Sequence, residues 1–95
     1  MIRVVAHLTS KPETIAETRK ELEGFIEPTL VEPGCVYYEL MHNNDDPTDF
    51  TFVEEWESNE TLDAHLESSH INAFKVHAAE LLACEPDVQR YTLLK

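Results

Sequence analysis

Alternation of apolar and polar residues predicts four β-strands, because side chains along a strand point to opposite faces with a period of two. The four segments that alternate in this way are Ile2–Thr9, Cys35–His42, Phe50–Glu57 and Val88–Leu94. In the second segment, alternation predicts that Cys35 shares a face with Tyr37, opposite Tyr38. Only a polar stretch rich in Asn and Asp, which favours a turn, separates the second segment from the third. These two strands are therefore predicted to form an antiparallel hairpin.

A helical repeat of apolar residues follows the first strand and extends to Leu30. The stretch Ser10–Glu13 predicts the start of this helix, with Ser as the N-cap, Pro in the first turn and Glu at the capping-box position. The helix is predicted to end before Pro33 and Gly34, because proline disfavours helix in the preceding residue and glycine permits a tight turn. Pro28, inside the segment, predicts a kink or an earlier end.

A second helical region follows the third strand and is predicted to be broken in two. Ser58 can cap a helix that begins near Asn59. One side of this helix carries Leu62, His65 and Leu66. The stretch Ser68–His70 predicts a break before a further helical segment, which ends near Pro86. The apolar stripe of that segment consists of Ile71, Phe74, Ala78, Leu81 and Leu82.

The resulting order of elements, β-α-β-β-α-β, is that of ferredoxin-like α+β domains. No linker or repeat interrupts it, so residues 1–95 are predicted to form a single domain. Such a domain covers one face of its sheet with helices and leaves the other face bare. Because the bare face would carry large side chains such as Val5, Tyr37 and Val53, we predict that a second copy packs on it to form a homodimer.

The charge of the chain excludes some classes of partner. Asp and Glu number 19 against 7 Lys and Arg, which gives a formal net charge of -12. Nucleic-acid binding relies on basic side chains that neutralise phosphates, and binding to anionic membranes relies on them as well, so neither partner is expected. We interpret the acidic excess as a source of solubility, and it is compatible with a neutral small molecule as ligand.

Three features of the sequence bear on the cellular compartment of the protein. The N-terminal stretch has a polar break by His7 and does not resemble a signal peptide, and no apolar run is long enough for a membrane span. Cys35 and Cys84 form no CxxC pair and no disulfide framework. This cysteine usage suits a reducing compartment, and we expect a cytoplasmic protein.

Candidate chemistry is concentrated in the third strand and the helix after it. The strand delivers Glu54 and Trp56 to one face, and the helix sets His65 nearby. A histidine with a near-neutral pKa is a natural general base for a phenol or quinol, and Glu54 would orient it and raise its basicity. A buried pair of these two residues that only fixes the helix on the sheet is the alternative. A structural ion pair of Glu54 with Arg90 or Arg3 is another.

Four aromatic residues are candidates for binding a substrate ring. Trp56 would form a flat wall on which a ring stacks, although a lone tryptophan in a small domain also serves as core. Tyr38 would hydrogen-bond a substrate oxygen or fill the space beneath the first helix. Phe52 and Phe74 are expected to line whatever cavity exists.

The five histidines of the chain form no recognisable metal motif. His65 and His70 are five positions apart, which splits them around a helix, and the intervening Ser68-Ser69 pair is expected to break that helix. No HxxxH, HxH or HExxH pairing exists. We therefore expect no metal and no tightly bound cofactor. Gly24 and Gly34 form no loop that could cradle a phosphate, so nucleotide binding is not expected either.

Taken in order, these residues resemble the antibiotic biosynthesis monooxygenase family. The resemblance covers nearly the whole chain, and it is carried by the joint order and spacing of its motifs rather than by any one of them. The matching residues are Glu32-Pro33-Gly34-Cys35 followed by Tyr38, the pair Glu54-x-Trp56, and Asp63-Ala64-His65-Leu66 with His70 and Phe74 beyond. The chain is most similar to the small cytosolic branch that is provisionally described as quinol monooxygenases.

The resemblance implies a ferredoxin-like domain that pairs as a dimeric α/β barrel. Its chemistry would be cofactor-free oxygenation of phenols and quinols, haem degradation or isomerisation of small phosphorylated sugars. In the cofactor-free oxygenases the substrate becomes an electron-rich anion that reduces oxygen itself. The protein then has to remove the proton, hold the ring in an apolar pocket and exclude water.

Two departures from the family's patterns narrow this choice. The polyketide oxygenases use an Asn four residues before the strand tryptophan, where this chain has Phe52. Haem degraders use an Asn on the first strand, which has none here, although Trp56 and His65 roughly match their other two residues. Haem propionates and sugar phosphates are both anionic, which the charge of the chain disfavours.

The leading hypothesis is therefore a cofactor-independent monooxygenase that oxidises a small quinol or phenol with O₂. Its catalytic residues would be His65 and Glu54, and its substrate-binding residues would be Trp56, Tyr38, Phe74 and Phe52. The alternatives are a dimer that binds a small ligand without catalysis and an isomerase of a small phosphorylated metabolite on the same fold.

Overall fold

The computed structural model describes residues 1–95 and contains four strands and five short α-helices. The strands are β1 (Ile2–Thr9), β2 (Cys35–His42), β3 (Asp49–Trp56) and β4 (Asp87–Tyr91). The helices are α1 (Ile15–Glu23), α2 (Ile26–Leu30), α3 (Asn59–Leu66), α4 (Ser69–Lys75) and α5 (Ala78–Leu81), and a 3-10 turn at Pro12–Thr14 precedes α1.

All four strands belong to one antiparallel sheet with the order β2-β3-β1-β4. Helices connect β1 to β2 and β3 to β4, while β2 and β3 form the predicted hairpin. The ferredoxin-like α+β fold expected from the order of elements is thereby confirmed.

The two faces of the sheet differ sharply in burial. Every second residue of β3 is buried on the face that packs against the helices, here called the covered face. The residues between them point to the opposite face and are only half-buried. The buried residues of β1 and β3 on this face are Val4, Ala6, Leu8, Phe50, Phe52, Glu54 and Trp56. The opposite face, here called the open face, carries Val5, His7, Tyr37, Met41, Asp49, Thr51, Val53 and Glu55. The core therefore lies on one side of the sheet only.

Strand β2 departs from strict alternation at its first residues. Its pairing with β3 shifts between Cys35 and Tyr37, so Val36 is the extra residue of a β-bulge. Cys35 consequently pairs with Trp56 and shares the covered face, and its predicted placement on the same face as Tyr37 is wrong.

The first helical region is two helices rather than one. Helix α1 ends at Glu23, and α2 begins at Ile26. Pro28 has no N–H to donate to the carbonyl of Gly24, and its ring crowds that carbonyl, so a regular helix cannot run through this point. The interruption predicted from Pro28 is present, one turn before the proline.

The two predicted serine caps have different outcomes. Ser58 caps α3 as expected, because its Oγ accepts a hydrogen bond from the backbone N–H of Thr61 at 3.2 Å. Ser10 does not cap a helix. Its hydroxyl donates to the carbonyl of Lys11 at 2.8 Å, and its backbone forms a β-bridge with Leu82. A tertiary contact with the end of α5 has taken the place of the local cap.

Gly34 makes the tight turn that leads into β2. Its φ is +82°, and a Cβ at this position would lie 2.5 Å from the side chain of Thr61 on α3. The turn thus needs glycine for both conformation and space. This close approach sets Glu32, two residues before Gly34, against the end of the same helix.

The C-terminal strand is shorter than predicted, because β4 ends at Tyr91 rather than at Leu94. All five of its residues are exposed, as expected of an edge strand with little helix above it. None of the helices has the length and apolar character needed to cross a lipid bilayer.

Candidate active site

An apolar cavity of about 130 Å³ lies between the covered face and helices α3 and α4. Hydrophobic residues make up 11 of the 14 that line it. Four of the six predicted site residues are among them, namely Tyr38, Phe52, Glu54 and Phe74. Two wider grooves on the outer side of the helices, of about 550 and 650 Å³, include only Phe74 of the predicted residues.

Glu54 is the one carboxyl group that faces this cavity. Strand β3 buries it among aromatic side chains, and only 4% of its surface is exposed. Burial raises the pKa of Glu54 to about 7, a hydrogen bond from the Trp56 indole opposes this rise, and the negative charge of Glu32 adds to it. The indole Nε1 donates to Oε1 of Glu54 at 2.8 Å. The cavity therefore contains a group that exchanges a proton near neutral pH.

The expected pairing of Glu54 with His65 is wrong. Nδ1 of His65 is 2.7 Å from Oε1 of Glu32, the residue before the Pro33-Gly34 turn. Two features of the fold explain the difference. The carboxylate of Glu54 accepts a hydrogen bond from the Trp56 indole on the same face, and the turn at Gly34 packs Glu32 against α3.

The alternative ion pairs of Glu54 are wrong as well. Arg3 lies on the open face, where its Nε is 3.0 Å from Glu55. Arg90 reaches over α3, where its guanidinium is 2.6 Å from Asp63. No cation therefore pairs with Glu54, and its carboxyl group is held by a neutral donor instead.

His65 packs beside the cavity and does not line it. Its ring centroid is 4.7 Å from that of Trp56 and 5.3 Å from that of Tyr38, so the imidazole packs against both aromatic rings. Burial lowers the pKa of His65, although the hydrogen bond and charge of Glu32 act in the opposite direction. Only 2% of the residue is exposed, so burial outweighs the effect of Glu32 and disfavours the charged imidazolium.

The aromatic residues that do line the cavity form a stack. Tyr38 and Phe52 are 4.8 Å apart between ring centroids, and Phe25 stacks on the other side of Phe52 at 5.7 Å. Burial, together with the charge of Glu54, raises the pKa of Tyr38 above its usual range, so its phenol stays protonated and remains a hydrogen-bond donor. The rings give the cavity flat apolar walls, and Glu54 is its one carboxyl group.

Beside this cavity, Glu32, His65 and His70 bring three metal-ligating groups together. One ligand atom from each lies within 4.8 Å of the others. The expected separation of the two histidines by their spacing of five is wrong, because α3 ends at Leu66, a second helix, α4, begins at Ser69, and the two rings meet at the joint between them. The two imidazole centroids are 5.8 Å apart.

Glu32 is the residue of this cluster to which the sequence analysis gave no role at the site. The sequence did contain a signal for it: Glu32 comes directly before the Pro33-Gly34 turn, so its position in the fold follows from where that turn packs. Its contact with His65 spans 33 positions along the chain, however, and no local pattern fixes which helix the turn will meet.

Comparison with known proteins identifies the fold and its relatives. The profile of the antibiotic biosynthesis monooxygenase family matches residues 1–77. A Mycobacterium tuberculosis protein that is provisionally named a monooxygenase is 30% identical over 81 residues, which cover 85% of this chain and 79% of that protein. An uncharacterized Synechocystis protein is 28% identical over 97% of this chain, and the chain spans 63% of that relative's length.

Solved structures agree with this assignment. The structure of the same mycobacterial protein superposes with a TM-score of 0.91, at 28% identity, over 99% of this chain and 95% of that chain. A conserved protein from Methanosarcina mazei is 34% identical, with a TM-score of 0.86, over 95% of this chain and 89% of that chain. The sequence resemblance to this family is therefore confirmed.

Proposed function

The chain belongs to the antibiotic biosynthesis monooxygenase family, and on this premise we propose that it is a cofactor-independent monooxygenase that oxidises a small quinol or phenol with O₂. The observation that carries the proposal is Glu54, a buried carboxyl group with a pKa of about 7 at the wall of an apolar cavity. A group of this kind can accept a phenolic proton at neutral pH, and that proton loss makes the ring reactive toward oxygen.

The proposal assigns the proton transfer to Glu54 rather than to His65. Glu54 takes the O–H proton of the bound ring, and the phenolate then gives an electron to O₂. Recombination forms a carbon–oxygen bond, and Glu54 returns its proton to the outer peroxide oxygen. Cleavage of the O–O bond, with loss of the hydrogen on the attacked carbon, then releases water and leaves a new carbonyl group. The substrate gains one oxygen atom and loses two hydrogens, which leave with the second oxygen atom as water. All four electrons come from the ring, so no further reductant is required.

The remaining residues hold the ring and the base. Phe52 and Phe74 supply apolar walls, and the protonated phenol of Tyr38 can donate to the substrate oxygen as negative charge develops there. Trp56 fixes the carboxylate of Glu54 through its indole N–H. His65, which packs on Trp56 and Tyr38, is a positioning residue in this scheme.

The size of the cavity bears on the substrate. An apolar cavity of about 150 Å³ takes up a molecule of benzene, and this one measures about 130 Å³. We therefore propose a substrate with a single aromatic ring. Lys75, Pro86 and Val88, which are exposed, are the lining residues through which a ring would enter.

The experiment that tests the proposal is oxygen uptake with single-ring and fused-ring quinols, with and without a chelator. We expect single-ring quinols to support uptake that survives chelation. Glu54→Gln should reduce the rate by about 10²-fold or more, because the amide still accepts the indole hydrogen bond and cannot take a proton. Glu57→Gln, an exposed carboxylate just beyond β3, is the matched control and should not change the rate.

Each other outcome has a definite meaning. A full loss of uptake in His65→Gln with none in Glu54→Gln would assign the proton transfer to His65. Saturable binding of quinols by the wild-type protein without any uptake would refute the oxygenase and support a ligand-binding protein.

The homodimer is part of the same proposal. Its support is the open face, where Val5 lies opposite Val53 and where Met41 and Tyr91 are about half exposed, at 51% and 52%. A sheet face of this composition favours packing against a second sheet. Sedimentation equilibrium should therefore show two chains per particle, and Val53→Glu should shift the mass to that of one chain. A wild-type protein that sediments as a single chain would contradict this assembly.

A further inference from the structure

We propose that Glu32, His65 and His70 form a binding site for a divalent transition-metal ion. Each ligand comes from a different part of the fold: Glu32 follows α2, His65 lies in the last turn of α3, and His70 lies in the first turn of α4. Two imidazole nitrogens and one carboxylate oxygen are a ligand set that zinc and related divalent metals use in proteins.

The distances among the ligand atoms fit an ion after small movements. In a tetrahedral zinc site with bonds near 2.1 Å, ligand atoms lie roughly 3.4 Å from one another. Oε1 of Glu32 is 2.7 Å from Nδ1 of His65 and 3.9 Å from Nε2 of His70. These two distances lie on either side of the ideal value, and all three ligand atoms lie within 4.8 Å of one another, so side-chain shifts of up to about 1.4 Å would bring them onto one ion.

The surroundings of the three ligands permit entry of an ion. His65 is nearly fully buried, but the side chains of Glu32 and His70 are each 18% exposed, so the site has a solvent side. Nε2 of His70 is at present 2.8 Å from the hydroxyl of Thr29, which a metal would replace as its partner. In the turn between the histidines, Ser68 Oγ is buried without a hydrogen-bond partner. The acidic excess of the chain also favours cations near its surface.

None of the three ligands lines the cavity, although His65 packs on Trp56 and Tyr38 beside it. An ion held there would tie the loop before β2 to both α3 and α4. The expected consequence is therefore greater stability of the folded chain, through the binding of an ion that the unfolded chain cannot hold as tightly.

The test begins with the chelator-treated full chain and Zn²⁺ alone. Calorimetry should show one ion per chain, and the melting temperature should rise by about 10 °C or more at free Zn²⁺ near 100 times its Kd. In nitrogen-15 spectra of the imidazoles, Zn²⁺ should shift His65 and His70 and leave His7, His42 and His77 unchanged. These spectra need only the wild-type protein, so the test does not depend on a variant that folds.

Variants then locate the ion. His70→Gln and Glu32→Gln should each weaken Zn²⁺ binding by about 10-fold to 100-fold, whereas His77→Gln should not. His77 is the matched control, because its Nε2 is 3.1 Å from the carboxylate of Glu21 in another His–Glu pair that lacks a third ligand. Absence of saturable binding, equal affinity in all three variants, or shifts of other histidines would overturn the proposal.

Discussion

The two faces of the sheet impose opposite behaviour on carboxyl groups of the same strand. Asp49 begins β3 on the open face, where hydrogen bonds from Asn43 and Thr51 lower its pKa. Glu54, five residues further on, turns to the covered face, where burial raises its pKa to about 7. The open face supplies several polar donors and partial exposure to solvent. The covered face supplies a single indole N–H.

Of the two carboxyl groups, the poorly solvated one is therefore the one that can exchange a proton near neutral pH. Asp49 has its charge satisfied and stays ionised, so it can only accept hydrogen bonds. Glu54 is close to balance between its charged and neutral forms, and a small change in its surroundings or a bound ring decides between them.

The largest effect should come from truncating neighbouring residues of β3. Phe52→Ala removes a fully buried ring from the covered face and should lower the free energy of unfolding by about 3–5 kcal/mol. Val53→Ala, on the half-buried open face, should cost less than about 1 kcal/mol in a single chain. Urea denaturation at several protein concentrations measures both. In the proposed dimer, which buries the open face, the cost of Val53→Ala should grow with protein concentration.

The second prediction concerns stability against pH. Because the pKa of Glu54 rises from its ordinary value of 4.5 to about 7 on folding, the folded state binds this proton more tightly. The resulting stability is fully present below about pH 4.5 and is lost as pH rises through about 7. The shift corresponds to roughly 3 kcal/mol, an order-of-magnitude figure for a nearly buried group.

Two variants isolate this slope on the two faces. Unfolding of Glu54→Gln at a series of pH values should lack the decline between pH 4.5 and 7 that the wild-type protein shows. Asp49 should contribute in the opposite direction, since its lowered pKa gives stability that is present above its ordinary value and lost as pH falls. Asp49→Asn should therefore flatten the acid limb alone. Parallel profiles for all three proteins would contradict the comparison.

The third prediction removes the donor on the covered face. Trp56→Phe deletes the indole N–H that holds Glu54 and leaves its buried carboxylate without a partner, at a cost of about 1–3 kcal/mol. Because that hydrogen bond lowers the pKa of Glu54, its loss should move the pH profile of oxygen uptake to higher pH. A profile that stays where it is would mean that Glu54 does not control the reaction.

The smallest effect is expected on the open face. His7 Nδ1 is 2.7 Å from the hydroxyl of Thr51 and 3.4 Å from Asp49, in an exposed network. His7→Gln should change the free energy of unfolding by no more than about 0.5 kcal/mol and should slightly raise the pKa of Asp49. Carbon-13 titration of the Asp49 carboxyl group measures the shift, and oxygen uptake should be unaffected.

The sequence predicted those features of the fold that depend on near neighbours in the chain. Alternation placed Glu54 and Trp56 on one face of β3, Ser58 capped the helix after it, and Pro28 marked the interruption between α1 and α2. The order of elements then selected the ferredoxin-like fold. Cys35 was assigned to the wrong face because a single bulge reverses alternation, and strand periodicity carries no signal for a bulge.

The candidate site was predicted less completely, because its contacts join distant parts of the chain. Four of the predicted residues line one cavity, but the role of orienting His65 passed from Glu54 to Glu32. The choice between these two carboxylates depends on where the Gly34 turn meets α3. The local sequence around each histidine and each glutamate does not predict that contact.

The elements, their faces and the residue types available to a site follow from the amino-acid sequence, since propensity and periodicity act over a few residues. Which groups share a desolvated space depends on how these elements pack. Glu54 becomes a proton acceptor near neutral pH because packing removes water from it, and Glu32, His65 and His70 converge because one turn approaches the joint between two helices. Desolvation and convergence are properties of the packed chain, and neither is encoded in a local pattern.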